Sequence, residues 1–411
     1  MANKKLIVVG GGAAGFFCAI NAKSLCPSLD VVIVEKSTKV LSKVKVSGGG
    51  RCNATHACFS ISEMVKRYPR GGSFLKKAFH HFFTTDTIQW FKDRGVELKT
   101  ESDGRMFPAT NSSQTIIDCF ISEINKLGIP ILFNKEIGDI ARDNNHFLLS
   151  IKNGETIHTD YLCIASGGNA KAEQFNWLRN LGHTVISPTP SLFTFNMPSN
   201  SLVKLMGIVV ENASVQIVGS KLKETGSILI THWGISGPAV LKLSAWGSLL
   251  LAEKNYSFSV LINWVSSYNE QSIKEKLQKV RFQFAAKKMC NYQPFSLPER
   301  LWLYLLEMSG INEDIRWADL PAKEQNKLIK NLVAMQCDVQ GKTTFKEEFV
   351  TAGGISLSEV DYNTMQSKIH PNLFFAGEVL DIDGVTGGFN FQNAWTTGFI
   401  AAKAIAASAS E

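Results

Sequence analysis

Four glycines, at positions 10, 11, 12 and 15, sit between an apolar run and a helical one and form the stretch best suited to hold a phosphate. In Gly10-Gly11-Gly12-Ala13-Ala14-Gly15, the β-branched run Lys5–Val9 comes first and Ala13–Leu25 follows with helical character. A strand, turn and helix in that order aim backbone N–H groups and the positive end of a helix dipole at an anion. Gly10 permits the tight turn and Gly12, with Ala13 and Ala14 after it, lets the backbone approach a pyrophosphate. Gly15 allows helix and strand to pack closely. Glu35, followed by Lys36, comes twenty residues after Gly15 at the end of the next strand, where a carboxylate accepts from ribose hydroxyls. Glu rather than Arg disfavours a 2′-phosphate. The glycine spacing alone is a weak signal; with its strand, helix and acid it specifies a dinucleotide site.

Two later stretches return to the same place. Tyr161 through Gly168 is an apolar strand ending in the small residues Ala165, Ser166 and Gly167. It resembles the strand-turn by which two-dinucleotide-fold flavoproteins come back to the sheet beside FAD; an ordinary buried strand with a turn is the plainer reading. Asn372 through Gly384 ends a strand in Ala376-Gly377-Glu378 and continues into acids that include Asp383. It resembles the late flavoprotein motif in which a carboxylate meets the ribityl chain. Gly388, Phe389, Asn390 and Gln392 then open the last helix, where backbone donors can face the pyrimidine oxygens of a flavin. These three motifs bracket the chain, so one discontinuous FAD domain is expected, with FAD held non-covalently.

Further candidates are less specific. Ser47-Gly48-Gly49-Gly50-Arg51-Cys52-Asn53 is a glycine loop with one fixed cation. Arg51 can serve the pyrophosphate and Asn53 can turn the chain or bond near the flavin ring. Cys52 invites a redox reading, but it has no partner at C-x-x-C spacing, and packing against the cofactor is the alternative. His232, in Thr231 through Pro238, is either an acid–base group or a hydrogen-bonded turn histidine. Arg105, His232 and Cys52 are the catalytic candidates, each equally able to support cofactor or fold.

Composition bounds the class. The chain has 411 residues, 45% hydrophobic and 19% charged, with a formal net charge of +7. Lys287-Lys288, the densest basic cluster, is too short for a nucleic-acid tract, so a solvated surface suited to anionic small molecules is expected and no nucleic-acid partner. Eight cysteines show no C-x-x-C and no metal-ligand spacing, so neither a disulfide framework nor a metal is expected. With no apolar run long enough to span a bilayer and no leader pattern, a cytoplasmic location is expected, away from membranes. The sequence assigns no oligomeric state.

Along the chain, Lys5–Val9, Ala13–Leu25 and Val31–Val34 make one βαβ unit and imply a parallel sheet. Residues 60–130 read as mainly helical, clearest at Phe82–Phe91 and Thr115–Leu127. Short strands follow at Ile131–Phe133, His146–Ile151, Thr156–Thr159 and Tyr161–Ala165. Residues 191–262 alternate as an antiparallel β-domain, 270–335 carry Leu and Trp at helical spacing, and Ala394–Ala407 reads as a terminal helix.

Taken together, Gly10–Gly15, the Gly-Arg-Cys-Asn loop, Gly104-Arg105-Met106-Phe107-Pro108, His232–Pro238, Val350–Gly354, Thr364–Lys368 and Ala376–Asn390 match the BaiN/YhiN-like flavoproteins. The chain resembles that family, often labelled NAD(P)/FAD-dependent or aminoacetone-oxidase-like, over essentially its whole length. The resemblance implies an α/β fold: a glutathione-reductase-type Rossmann domain (1–190 and 351–411), an inserted β-barrel (191–265 and 336–350) and a small helical domain (266–335). It also implies Ile137 near adenine and Lys43 close to the cofactor. Leu41-Ser42-Lys43 stands where many members carry Gly-Arg-Lys. The implied activity is flavin-dependent hydride transfer through N5 to or from a small organic substrate. A single dinucleotide fingerprint leaves NAD(P)H no Rossmann site of its own, so either it visits as a transient donor or reduction comes from the organic substrate. Oxidation of an amine or aminoketone by oxygen, and a non-catalytic FAD sensor, are the alternatives.

Overall fold

Leu6–Val9 and Val31–Val34 are unbroken runs of Leu, Ile and Val, so neither strand has a polar face and both need cover on two sides. A computed structural model, describing residues 3–143, 146–343 and 350–411, shows how that cover is supplied. The chain divides into two units, Met1–Ser191 with Lys346–Glu411, and Leu192–Phe345.

In the first unit a five-stranded parallel sheet runs in the order Leu373–Phe375, Tyr161–Ile164, Lys5–Val9, Asp30–Val34, Ile131–Leu132. Strands from both ends of the chain therefore share one sheet. The first and last helices, Ala13–Leu25 and Phe389–Ser410, pack together. Gly398 permits that approach, because a Cβ there would stand 2.9 Å from Ala14 O. Phe17, Trp90, Phe120 and Trp395 fill the space beside these helices, with Phe17–Trp90 centroids 4.5 Å apart.

Three small antiparallel sheets complete the unit, one of them the pair Val185–Ser191 with Val350–Ile355. Ile137–Asp143, His146–Ile151 and Thr156–Thr159 form a meander. Thr55–His56, Arg105–Pro108 and Leu98–Thr100 form the third, whose last two strands lie inside the span 60–130 expected to be mainly helical. These strands have two to four residues and their partner lies some fifty residues upstream, so no periodicity announces them. The two expected helices are present but shifted. One begins at Thr84, where the Asp86 carboxylate accepts from Phe83 N at 2.7 Å; the other begins at Ser113, where Ser112 Oγ accepts from Gln114 N. The terminal helix starts at Phe389, earlier than its alanine-rich part indicates.

In the second unit seven antiparallel strands run in the order Met335–Gln340, Ser257–Asn263, Val209–Ile217, Lys223–Thr231, Gly234–Ser236, Thr194–Asn196, Lys342–Thr343. The first and last of these are one run of chain interrupted at Gly341, whose N–H donates to Tyr256 O at 2.8 Å. Helices Pro238–Trp246 and Ser248–Glu253 interrupt what reads as continuous β-structure, the first opened by a proline at its start. Residues 266–335 supply helices Glu270–Gln283, Glu299–Met308 and Ala322–Val333. Their Leu277, Trp302 and Leu328 share one buried core with Phe195, Val215 and Ile262 of the strands. The expected second barrel segment, 336–350, extends through 344–349, which lie outside the described residues.

Candidate functional site

Three adjacent parallel strands of the first unit end side by side, at Gly10, Ala165 and Ala376. Ala165 N donates to Val9 O at 2.8 Å and Ala376 N to Ile164 O at 3.0 Å. The carboxyl edge of such a sheet is where open α/β folds place nucleotides.

The glycine turn is built for this. Gly10 has φ +114°, and a Cβ there would lie 2.3 Å from Ala165 O. A Cβ on Gly15 would lie 2.0 Å from Gly10 O, so the helix can sit on its strand only without one. Gly12 differs, since a Cβ there would meet nothing within 4 Å. Gly12 also caps the helix without a side-chain hydrogen bond, so no capping side chain takes up the donors of the first turn. Glu35 is used by the protein itself: Oε2 accepts from Gly11 N at 2.8 Å and Oε1 from Ser37 N at 2.9 Å. It shapes the turn and keeps one lone pair per oxygen for a ribose. Lys36 beside it is exposed. Lys135 N donates to Glu35 O at 2.9 Å, which brings Ile137 and its strand to the same corner.

At the middle strand the Ser166 hydroxyl is buried without a hydrogen-bond partner, and Gly167 turns at φ +75°. Orphaned buried hydroxyls are rare, and this one points to a group that the site is built to take. Glu378 ties three segments together. Its Oε2 accepts from Lys43 at 2.6 Å and its Oε1 from Thr351 N at 2.9 Å, while a Cβ on Gly168 would meet Oε1 at 2.7 Å. Gly377, at φ +77°, leaves room for Ala14.

The loop 47–53 lies in the same unit. Ser47 accepts from the Cys52 backbone, Gly48 faces Phe107, and a Cβ on Gly49 or Gly50 would enter open space. The Arg51 guanidinium lies 4.0 Å from the Phe107 ring and pairs with Glu101 at 2.6 Å. It is anchored to protein rather than left for a pyrophosphate. Arg105 shares those partners, 3.4 Å from Glu101 and 5.5 Å over Phe107, and reaches Asp103 at 2.7 Å. Cys52 is fully buried at φ +59°, and burial pushes its thiol up to about 12, against a Ser47 bond that lowers it. Burial of this kind disfavours a thiolate and favours the packing alternative over the redox one.

In the late motif several side chains bond to the protein itself. Asp383 does not face a ribityl chain through Oδ2, which binds Arg70 at 2.5 Å and Ser191 Oγ at 2.8 Å. Its Oδ1 is buried without a partner, and burial raises its carboxyl despite Arg70. Asn390 closes on Gly384 through two 2.8 Å bonds, holding the loop's shape. Gln392 is fully buried, and its Oε1 accepts from Thr55 at 2.6 Å and Thr87 at 3.0 Å. Both side chains support the fold. The Gly388 N–H is spent on Asn53, whose amide, oriented to satisfy its neighbours, accepts from it at 2.9 Å and donates to Thr55 O at 3.0 Å.

His56 was not among the sequence candidates. Its ring stacks on Phe389 with centroids 4.7 Å apart, and Nδ1 lies 3.0 Å from Gly387 O. The only sequence sign of it is its place three residues beyond Asn53. His232 lies in the second unit, exposed at a turn, its ring 3.9 Å from that of Trp233. Among the described residues no His, Cys, Asp and Glu cluster could hold a metal, and no helix is long and apolar enough to cross a membrane.

Comparison with known proteins gives the family and the fold. Residues 4–404 match the HI0933-like protein Rossmann domain family. The chain is 28% identical to the ribosomal RNA dihydrouridine synthase of Escherichia coli K12, over 98% of each chain. It is 24% identical to the 3-dehydro-bile acid delta(4,6)-reductase of Clostridium scindens, over 97% of this chain and 98% of that one. Among solved structures, the open conformation of a flavocytochrome c3 fumarate reductase superposes with a TM-score of 0.52 at 15% identity, covering 99% of this chain and 79% of that one. The 3-ketosteroid delta1-dehydrogenase of Sterolibacterium denitrificans gives 0.51 at 12% identity, covering 99% and 100%. At such identities the two structures speak to fold alone. The chain belongs to the HI0933-like Rossmann family, the BaiN/YhiN-like flavoproteins, whose members are flavin-dependent oxidoreductases.

Proposed function

We propose that the first unit binds FAD non-covalently and that the protein adds hydrogen across a carbon–carbon double bond conjugated to a carbonyl. The observation that carries the cofactor is the convergence of Gly12, Ser166 and Glu378 at one sheet edge, with open space beside the uncapped helix start. In this reading Gly12, Ala13 and Ala14 hold the pyrophosphate, Glu35 and the backbone at Ile137 hold the adenosine, and Ser166 binds through its unpaired hydroxyl. Lys43 and Glu378 close the site across the Gly-Arg-Cys-Asn loop. Bound FAD supplies and accepts hydride at N5.

The bond type is supported by the two relatives. Dihydrouridine differs from uridine by hydrogen across C5–C6, beside a carbonyl, and a delta(4,6)-reductase of a 3-keto steroid acts on the same kind of conjugated system. Such a substrate gathers negative charge on its carbonyl oxygen as hydride arrives, and fixed donors or cations stabilise it. The reacting group is a single conjugated ring or chain, either free or carried on a larger molecule. NAD(P)H serves as a transient donor. The inserted second unit is read as a barrel of the glutathione-reductase-type arrangement, supported by the strand run that continues through Gly341. Eight free cysteines support a reducing, cytoplasmic setting.

The test begins with the visible spectrum of the purified protein and anaerobic addition of NADH or NADPH. The reduced protein is then mixed with cyclohexenone and with uridine-containing RNA. A flavin spectrum, bleached by a nicotinamide and restored by one of these acceptors, is expected. A protein that binds no FAD sinks the cofactor reading. A flavin reoxidised by oxygen alone, and reduced only by amines, overturns the bond type.

A further inference from the structure

We propose that the exposed face of helix Glu270–Gln283, with the turn through Lys288, is a docking surface for unpaired RNA. This goes beyond the flavin chemistry and lies wholly within the second unit. Between positions 274 and 288 stand six cations, Lys274, Lys276, Lys279, Arg281, Lys287 and Lys288, against one carboxylate, Glu275. Fifteen residues thus carry +5 in a chain whose total is +7. Read along the sequence, Lys287-Lys288 is an isolated pair; the helix adds the rest.

The helix buries Ile273, Leu277 and Val280. Its opposite side therefore presents Lys274, Gln278 and Phe282, four residues apart and stacked in one row. Phe282 is 90% exposed, the most exposed large apolar side chain among the described residues. A shallow groove beside it is lined by Gln278, Arg281, Ala285 and Ala318. Arg281 is held at the groove by donating to Ala318 O at 2.7 Å. A second aromatic platform follows: Phe284 stacks on Tyr292 with centroids 4.0 Å apart, and Lys287 lies 5.3 and 5.4 Å over the two rings. Lys288 is paired with Asp314 and Arg281 with Ala318 O, so Lys274, Lys276, Lys279 and Lys287 are the ones offered to a partner.

An exposed aromatic set among cations matches a chain of planar bases joined by phosphates: the ring stacks a base while the cations follow the backbone. Self-association through this face is disfavoured, because a two-fold axis would set one cationic face against its copy. RNA rather than DNA is favoured by the ribosomal RNA named for the relatives of Escherichia coli and Haemophilus influenzae.

The test is fluorescence anisotropy of the full-length flavoprotein with a fluorescein-labelled single-stranded RNA of about 20 nucleotides, enough to cover one such site, across a range of NaCl concentrations. Saturable binding is expected, with Phe282→Ala weakening it roughly tenfold. The combined Lys274→Gln, Lys279→Gln, Lys287→Gln variant should lower the log–log salt slope by about 2, at ~0.7 per phosphate contact. Because these side chains are exposed, flavin content, thermal midpoint and nicotinamide reduction should match the parent, which keeps this reading separable from the flavin chemistry. The proposal is overturned by absent binding, or by both variants binding as the parent does. It is also overturned if Phe282→Ala changes sedimentation, or attachment to anionic phosphatidylserine vesicles, with RNA affinity unchanged.

Discussion

Replacing Gly12 with alanine separates what the fold requires from what the cofactor requires. The added methyl would meet no protein atom within 4 Å, and Gly12 sits at φ −96°, ψ −171°, extended backbone that alanine also adopts. The apoprotein should therefore keep its stability to within about 0.5 kcal/mol. The methyl nevertheless projects at the uncapped start of helix Ala13–Leu25, where the proposed function puts the pyrophosphate. Displacing that group by even one hydrogen bond to a charged acceptor costs about 1.5–3 kcal/mol, a loss of FAD affinity of roughly 10- to 150-fold. Gly15→Ala provides the contrast. Its methyl would stand 2.0 Å from Gly10 O and 3.4 Å from Val8 Cγ1, so helix and strand must separate. Overpacking of that kind costs about 1–3 kcal/mol or more, visible as a lowered midpoint without any ligand. The assay titrates flavin-stripped protein with FAD by fluorescence quenching, beside thermal unfolding of the same samples. If Gly12→Ala bound FAD as the parent does, or lost as much apoprotein stability as Gly15→Ala, the phosphate would not lie at this turn.

Three further outcomes are expected. Cys52, neutral and buried, should resist iodoacetamide in the folded protein at pH 7.5 while the half-buried Cys58 and Cys290 react, as peptide mapping would show; early labelling at Cys52 would restore a thiolate role. Asp383→Ala removes the carboxylate beside the mostly buried Arg70 and should cost about 3–5 kcal/mol in urea unfolding, with Asp383→Asn milder; a loss under 1 kcal/mol (a figure well below that range) would mean that the pair is not structural. His183 is buried, with Nδ1 3.1 Å from Glu359 and Nε2 3.2 Å from Ser367 Oγ, and burial holds its pKa below the ordinary histidine value despite Glu359. The unfolded chain then takes the proton first, so this stability is present above about pH 6.5 and is lost as pH falls through the lower folded value. His183→Gln should flatten that acid limb, and an unchanged limb would show that another group sets it.

The legible parts of this protein are those whose requirement is local and steric. Gly10 and Gly15 can be read because close approach of backbone to backbone admits nothing larger, and the apolar runs because a strand without a polar face must be covered twice. The side chains are harder, because a motif names a position and leaves the direction of its polar atoms open. Glu35, Asp383, Asn390 and Gln392 all fall on motif positions, yet Glu35 spends one acceptor per oxygen on its own turn, and the other three bond mainly to protein. Their partners, Arg70, Ser191, Thr55 and Thr87, lie up to about 340 residues away in the chain, and no spacing rule reaches so far. His56 was missed for the same reason, since it becomes visible only when a two-residue strand pairs with Arg105–Met106 and carries the ring to Phe389. The basic helix is the converse case. Its cations were always in the sequence, but only burial of Ile273, Leu277 and Val280 decides that they and Phe282 point outward together. Asp383, Asn390 and Gln392 fix the shape of the loops around the sheet edge, and in the proposed reading the ligand is left to backbone donors, the Ser166 hydroxyl and the remaining lone pairs of Glu35. Under the proposed function, a site of that kind recognises a pyrophosphate and a polyol by shape, and it leaves the choice of substrate to groups beyond the nucleotide motifs.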